Sequence, residues 1–337
     1  MLVFTFAKND CIQGGFGLTS LTDFATTKMP ELALKKKKSL WRRIFLNWEI
    51  YLMALPGVAL LALFRYLPMY GILIAFKDYN VIKGILGSDW LGFENFIRLT
   101  SSSEFKRSFM NTLILSILRM LFGMPVPILL ALSLNEVRSL AYKKAIQTIV
   151  YIPHFISWVV VAGIFIDLLS PSTGLINRII ELFGGQPIFF MTNLKWIRTV
   201  IVGTEIWKEF GWGAIIYLAA ITSVDQELYQ AAAIDGAGRL RQTIHVTLPA
   251  IKGTFIVLLI MRLGALMGAN FEQIYTMYNT TVYEKIDVID TYVFRTAFST
   301  LDFGYTTAAG LFTQVVGCIL LMSSNTLVKR LGGRGMY

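Results

Sequence analysis

Residues Gln230–Ile251 read QAAAIDGAGRLRQTIHVTLPAI and lie between two long apolar segments. Ala231, Ala232 and Ala233 favour a helix, expected over Asp225–Ile234. That helix breaks at Gly236, where the chain can turn left-handed without a side chain to resist it. A second short helix is expected over Arg239–Val246, and Pro249 stands at the entry to the next apolar run. The result is a bent helix pair whose surface the alanines keep narrow. Two readings fit it. One is a platform that another protein approaches closely, with Asp235 capping the turn or accepting a hydrogen bond from that partner. The other is an ordinary connector packed against its own bundle.

The flanks decide the class. Of 337 residues 55% are hydrophobic and 15% charged, where soluble domains carry about 25% charged residues. Six apolar segments stand out, at about 51–76, 109–134, 146–169, 199–221, 253–276 and 304–327. Each is long enough for a helix to cross the bilayer's hydrocarbon core. The chain therefore reads as an all-α, six-span membrane protein rather than a large soluble one with buried helices. With the N-terminus inside, the inner segments hold 17 lysines and arginines and the outer loops 10. This is the bias of the positive-inside rule, and it puts both termini and the 222–252 loop in the cytoplasm. Residues 1–48 read as a basic, partly disordered tail, with Met29 an alternative start, and 49–337 as one six-helix domain.

The net charge of +10 then reads as membrane flank, not as a nucleic-acid surface. Cys11 and Cys318 lie too far apart in the sequence to suggest a disulfide framework, and His154 and His245 are too few for a histidine-rich metal cluster. No phosphate loop of the Gly-x-x-x-x-Gly-Lys-Ser/Thr type and no His-Glu-x-x-His pattern is present. No catalytic residue, metal site or bound cofactor is expected, and the chain should not hydrolyse ATP itself.

Charges inside a span are costly unless they face protein or water. Glu205, Lys208 and Glu209 fall in the fourth segment, flanked by Trp207 and Trp212. At helical spacing Lys208 can pair with Glu205. The cluster reads as a sugar-lined cavity, with aromatic faces for sugar rings and charges for hydroxyls, or as a structural ion pair between helices. Asn270, Glu272 and Gln273 form a second polar group near the outer end of the fifth segment, followed by Tyr275 and Tyr278. Arg119 and Arg262 read as packing or snorkelling residues, and His154 as a packing or hydrogen-bonding one.

The opening stretch resembles the EAA loop of the permease subunits of ABC importers. That loop runs Glu-Ala-Ala, three residues, Gly, then about nine residues to an Ile-x-Leu-Pro end. Ala231, Ala232, Gly236 and the VTLP ending in Pro249 match it, while Gln230 stands in place of the usual glutamate and removes any salt bridge from that position. The stretches YLMALPGVALLALFRYLPMYGILIAFKDYN, NTLILS, YIPHFISWVV and NFEQIYTMYN with VYEKIDVIDTYVFRTAF resemble the LplB-like branch of carbohydrate permeases, over roughly 45–337. The resemblance implies a six-span type I importer (MetI-like) fold in a bacterial plasma membrane. It implies a second homologous permease subunit, two ABC ATPase subunits, an extracytoplasmic sugar-binding protein and an oligosaccharide substrate, including uronate-containing fragments. An importer of another solute such as peptides is the alternative within transport, and a membrane enzyme the alternative outside it.

Overall fold

The computed structural model describes residues 47–268 and 270–330, so Cys11 and the basic run Lys35–Lys38 lie outside the described residues. The chain divides into two units between Phe64 and Arg65. The first contains α1 (Trp48–Leu61), which has no buried face: Leu52, Met53, Leu55 and Val58 are all exposed. An all-round apolar helix of this kind suits lipid.

The second unit opens with a 3₁₀ segment, Leu67–Phe76, and a short antiparallel pair, β1 (Lys77–Asp78) and β2 (Asp89–Trp90), with Lys77 opposite Trp90. Helix α2 (Glu94–Ser101) is amphipathic and buries Asn95 and Leu99. A bundle follows: α3 (Ser103–Gly123), α4 (Pro125–Glu136), α5 (Leu140–Phe155), α6 (Trp158–Leu168), a short α7 (Leu175–Leu182) and α8 (Ile197–Thr222). Then come α9 (Gln226–Ile234), α10 (Arg239–Gln242), α11 (Leu248–Gly264), α12 (Phe271–Met277), α13 (Ile289–Thr300) and α14 (Phe303–Arg330).

Among the described residues four helical stretches are long and apolar enough to span: Trp48–Phe76, Ser103–Glu136, Arg239–Gly264 and Phe303–Arg330. The bent pair α5–α6 makes a fifth. Helix α8, 26 residues long, has the length of a sixth but carries Glu205, Lys208 and Glu209 at its middle. It is the central helix of the unit, packed against α3, α4, α5 and α11, so its charges meet protein rather than lipid.

Two expected segments are not single straight helices. The third, 146–169, bends by 103° between α5 and α6. The fifth, 253–276, breaks after Gly264 and resumes at Phe271. Nor is the helix expected over Arg239–Val246 a separate short one. It passes through a π-helical turn, Thr243–Thr247, straight into α11; the widened turn just before Pro249 accommodates a ring and a missing N–H that a regular α-helix interior would not.

Candidate functional site

Helix breaks inside a bilayer expose carbonyls that water cannot reach, so protein must supply their donors. At the α5–α6 bend the donor is Lys208. Its ammonium, 5% exposed, donates to the carbonyls of Pro153 (3.2 Å), His154 (2.5 Å) and Ile156 (2.8 Å). Three protons meet three acceptors, and the Trp158 ring lies 5.5 Å away. The pairing of Lys208 with Glu205 expected from spacing does not form. The ammonium is drawn to the carbonyls of the bend, and Glu205 to arginines from other helices. Three residues on, Gly211 lets α8 touch α5: a Cβ there would press into the Val150 carbonyl.

Glu205 instead meets two arginines. Its Oε2 is ion-paired with Arg119 Nε, and its Oε1 lies 4.0 Å from Arg262 Nη1. Arg119 also donates to Gln273 Oε1 at 2.7 Å. Gln273, fully buried, donates to the Ile201 carbonyl (2.7 Å) and Thr204 Oγ1 (2.8 Å). So polar side chains tie α12, beyond the break, to α8 and α3, beside the apolar packing of Ile274 and Met277. Asn270, at φ 53°, turns the chain left-handed into α12.

Glu209 shares a helical face with Glu205 but not its partners: its Oε2 lies 2.9 Å from His154 Nδ1. The His154 ring stacks on Trp212 with centroids 4.5 Å apart and planes 3° from parallel. Trp212, Glu209, Tyr217, Pro127, Met261 and Arg262 line a hollow of about 320 Å³. Two smaller hollows adjoin it, one beside Arg119 and Glu205 and one reaching Ser116 and Asn270, and Arg262 borders all three. Trp207 packs edge-on against Phe165 and is not among the lining residues, and Glu272 is exposed elsewhere.

Near the N-terminal end of α8, Asp287 is fully buried. Its carboxylate accepts from Ser108 (3.2 Å), Thr291 (2.8 Å) and both terminal nitrogens of Arg295 (3.0 and 2.8 Å). The hydrogen-bonded Asp287 carboxylate raises the Arg295 pKa above its ordinary value. Burial, reinforced by the Tyr283 hydroxyl, pushes Tyr278 up to about 12, so this aromatic rim is uncharged in neutral water.

At the opposite end the bent segment is built as its residues suggest. Asp225 caps α9 by accepting from the Glu227 N–H at 3.0 Å. Gly236, at φ +77°, ends it: its N–H donates to Ala233 and that of Ala237 to Ala232, at 3.0 and 2.9 Å. This pair of bonds is a Schellman cap. Arg239 donates to Glu136 at the end of α4 (2.6 Å), and Tyr229 bonds Thr247 (3.0 Å). Gln230, Ala231, Asp235, Gly236 and Pro249 are exposed and Ala232 half-buried, with Ile234 and Leu240 projecting beside them. Asp235 closes α9 through its backbone N–H to Ala231, not through a side-chain cap.

A break-ridden polar core in an apolar bundle, with a rigid bent loop at one end, matches one family across most of the second unit. Residues 123–332 match the family described as binding-protein-dependent transport system inner membrane component. The chain belongs to this family. The permease is 48% identical to the polygalacturonan/rhamnogalacturonan transport system permease protein YteP of Bacillus subtilis (strain 168) over 303 residues, 90% of this chain and 94% of the relative. It is 45% identical to Protein LplB of the same organism over 288 residues, 86% of this chain and 91% of that one. It superposes with a TM-score of 0.81 and 42% identity on a chain of a bacterial alginate ABC transporter, crystallised with an alginate pentasaccharide-bound periplasmic protein. The match covers 88% of this chain and 99% of that chain. The permease is thus a transport component of the inner membrane and not an enzyme, and its fold is the MetI-like one expected.

Sequence reading missed Arg262 as a cleft residue and Asp287 as the centre of its hydrogen-bonded network. Arg262 had one signal, an arginine in the last turn before a Gly- and Asn-containing interruption. Asp287, in a loop by pattern, had none.

Proposed function

We propose that the permease moves oligosaccharides or polysaccharide fragments inward by alternating access, driven by partner ATPases. The observation that carries this is the hollow beside α8, walled by Trp212, Tyr217, Glu209 and Arg262 within a membrane bundle. Aromatic faces suit the apolar faces of sugar rings, and charged groups suit hydroxyls. YteP is named for polygalacturonan and rhamnogalacturonan and the solved transporter for alginate, all polysaccharides, which supports sugar over peptide.

In this reading Glu205, Glu209, Trp212 and Asn270 border the path. Lys208 and Gln273 shape it from behind, because their polar atoms are taken up by protein. Trp207 and Glu272 belong to its surroundings. A second homologous permease completes the pore, an extracytoplasmic binding protein delivers the sugar, and two ABC ATPases dock on the 222–252 loop through Gln230, Ala231, Ala232, Asp235, Gly236 and Pro249. Both termini then lie in the cytoplasm, with residues 1–48 as a tail and 49–337 as the transport domain.

Uptake of a saccharide panel into vesicles carrying the complete complex tests this, with a peptide mixture as control. ATP-dependent uptake of saccharide and not peptide is expected; the reverse would overturn it. Topology is checked in a cysteine-free background by external labelling at Gln226→Cys and Thr281→Cys. Labelling of position 226 with 281 protected would invert the assignment.

A further inference from the structure

We propose that Arg262 recognises the carboxylate of a uronate residue as the sugar passes, acting as the specificity-determining contact of the path. This rests on the sugar-import reading above. Arg262 sits in the last turn of α11, just before the break, and borders all three adjoining hollows. A molecule moving between the large hollow and the one reaching Asn270 passes its guanidinium.

The charges around it single it out. Arg119 is buried against Glu205 and Gln273. Glu209 shares the large hollow, but its Oε2 is held at 2.9 Å by His154. Glu205 is the nearest carboxylate to Arg262, at 4.0 Å, and it is already engaged by Arg119. At that distance no hydrogen bond forms. The Arg262 side chain is 47% exposed and borders the hollows, and among the described residues nothing accepts a hydrogen bond from it.

A guanidinium carries five donors in a planar fork that fits a carboxylate with two parallel bonds. A cation inside a span with donors unfilled is expensive unless something else fills them. A uronate carboxylate does so. A neutral sugar offers only hydroxyls, which accept single, weaker bonds and leave the cation without a counter-charge. Trp212, exposed on the same wall, is placed for the ring that bears the carboxylate.

The test uses proteoliposomes with the whole transporter and its binding protein, and two probes: trigalacturonate and its methyl ester. The reading is the ratio of acid to ester uptake in wild type, Arg262→Gln and Arg262→Lys. One binding protein serves all three, so its own preference cancels between them. The ratio should fall about tenfold or more in Arg262→Gln, the loss of a charge-assisted pair. It should fall less in Arg262→Lys, which keeps the charge and loses the fork. Equal slowing of both probes in Arg262→Gln would make the residue structural and overturn the proposal. An unaltered ratio in Arg262→Lys would overturn the forked contact even if the Gln variant failed to assemble. Wild type that takes up ester but not acid would overturn this inference and leave sugar import standing. Wild type that takes up no saccharide at all would overturn the sugar-import reading itself.

Discussion

Gly236 allows the two possible roles of the bent loop to be separated. Its φ of +77° lies where a side chain costs about 1–2 kcal/mol. A Cβ at this position meets nothing within 4 Å, so within this chain the cost is backbone alone and side-chain size does not enter. About 1 kcal/mol corresponds to roughly a fivefold drop in the ratio of bent to unbent loop, through loss of the Gly236–Ala233 and Ala237–Ala232 bonds. Asparagine tolerates the left-handed region, alanine tolerates it less, and a β-branched residue least. Sugar-stimulated ATP hydrolysis, measured in lipid at equal amounts of assembled complex, should therefore rank Gly236 and Gly236→Asn together, then Gly236→Ala, then Gly236→Val. Copurification of the ATPase should follow the same order. If Gly236→Asn is as damaging as Gly236→Val, the thin surface matters and the bend does not. Full coupling in Gly236→Val would reduce the segment to a connector.

Two further outcomes concern the helix breaks and the Asp287 network. Lys208→Met removes the donor from three carbonyls at the α5–α6 bend. It should lower stability by about 1–3 kcal/mol for acceptors left unmet, read as the thermal midpoint in detergent; a wild-type midpoint would show that the bend needs no clamp. Asp287→Ala leaves Arg295, whose side chain is 28% exposed, without its carboxylate. Water reaches the remaining charge, so the cost is about 1–3 kcal/mol, below that of a fully buried pair; the thermal midpoint should fall, whereas unchanged yield and midpoint would remove Asp287 from the framework.

The spans and the loop were legible because each is written locally. Apolar runs of bilayer length announce helices. Asp225 and Gly236 mark the ends of α9 with cap chemistry that reaches only a few residues along the chain. The charge bias along the chain is a property of composition. What the charges in the spans meet is not local. Glu205 and Lys208 sit three apart and look like a pair, yet Arg119 from α3 takes the first and the α5–α6 bend takes the second. An i,i+3 pair on one helix gains little at a few tenths of a kcal/mol, and partners from other helices that would otherwise be buried unmet outweigh it. The same holds for the breaks at Ile156 and Gly264. Continuous hydropathy conceals both, because lipid-facing side chains carry that signal while the break is held by Lys208, Gln273 and Arg119, which come from other helices. The sequence alone determined the class, the helices and the bent loop. Only the packing of α8 against its neighbours decided which charges are structural and left Arg262 facing the hollow.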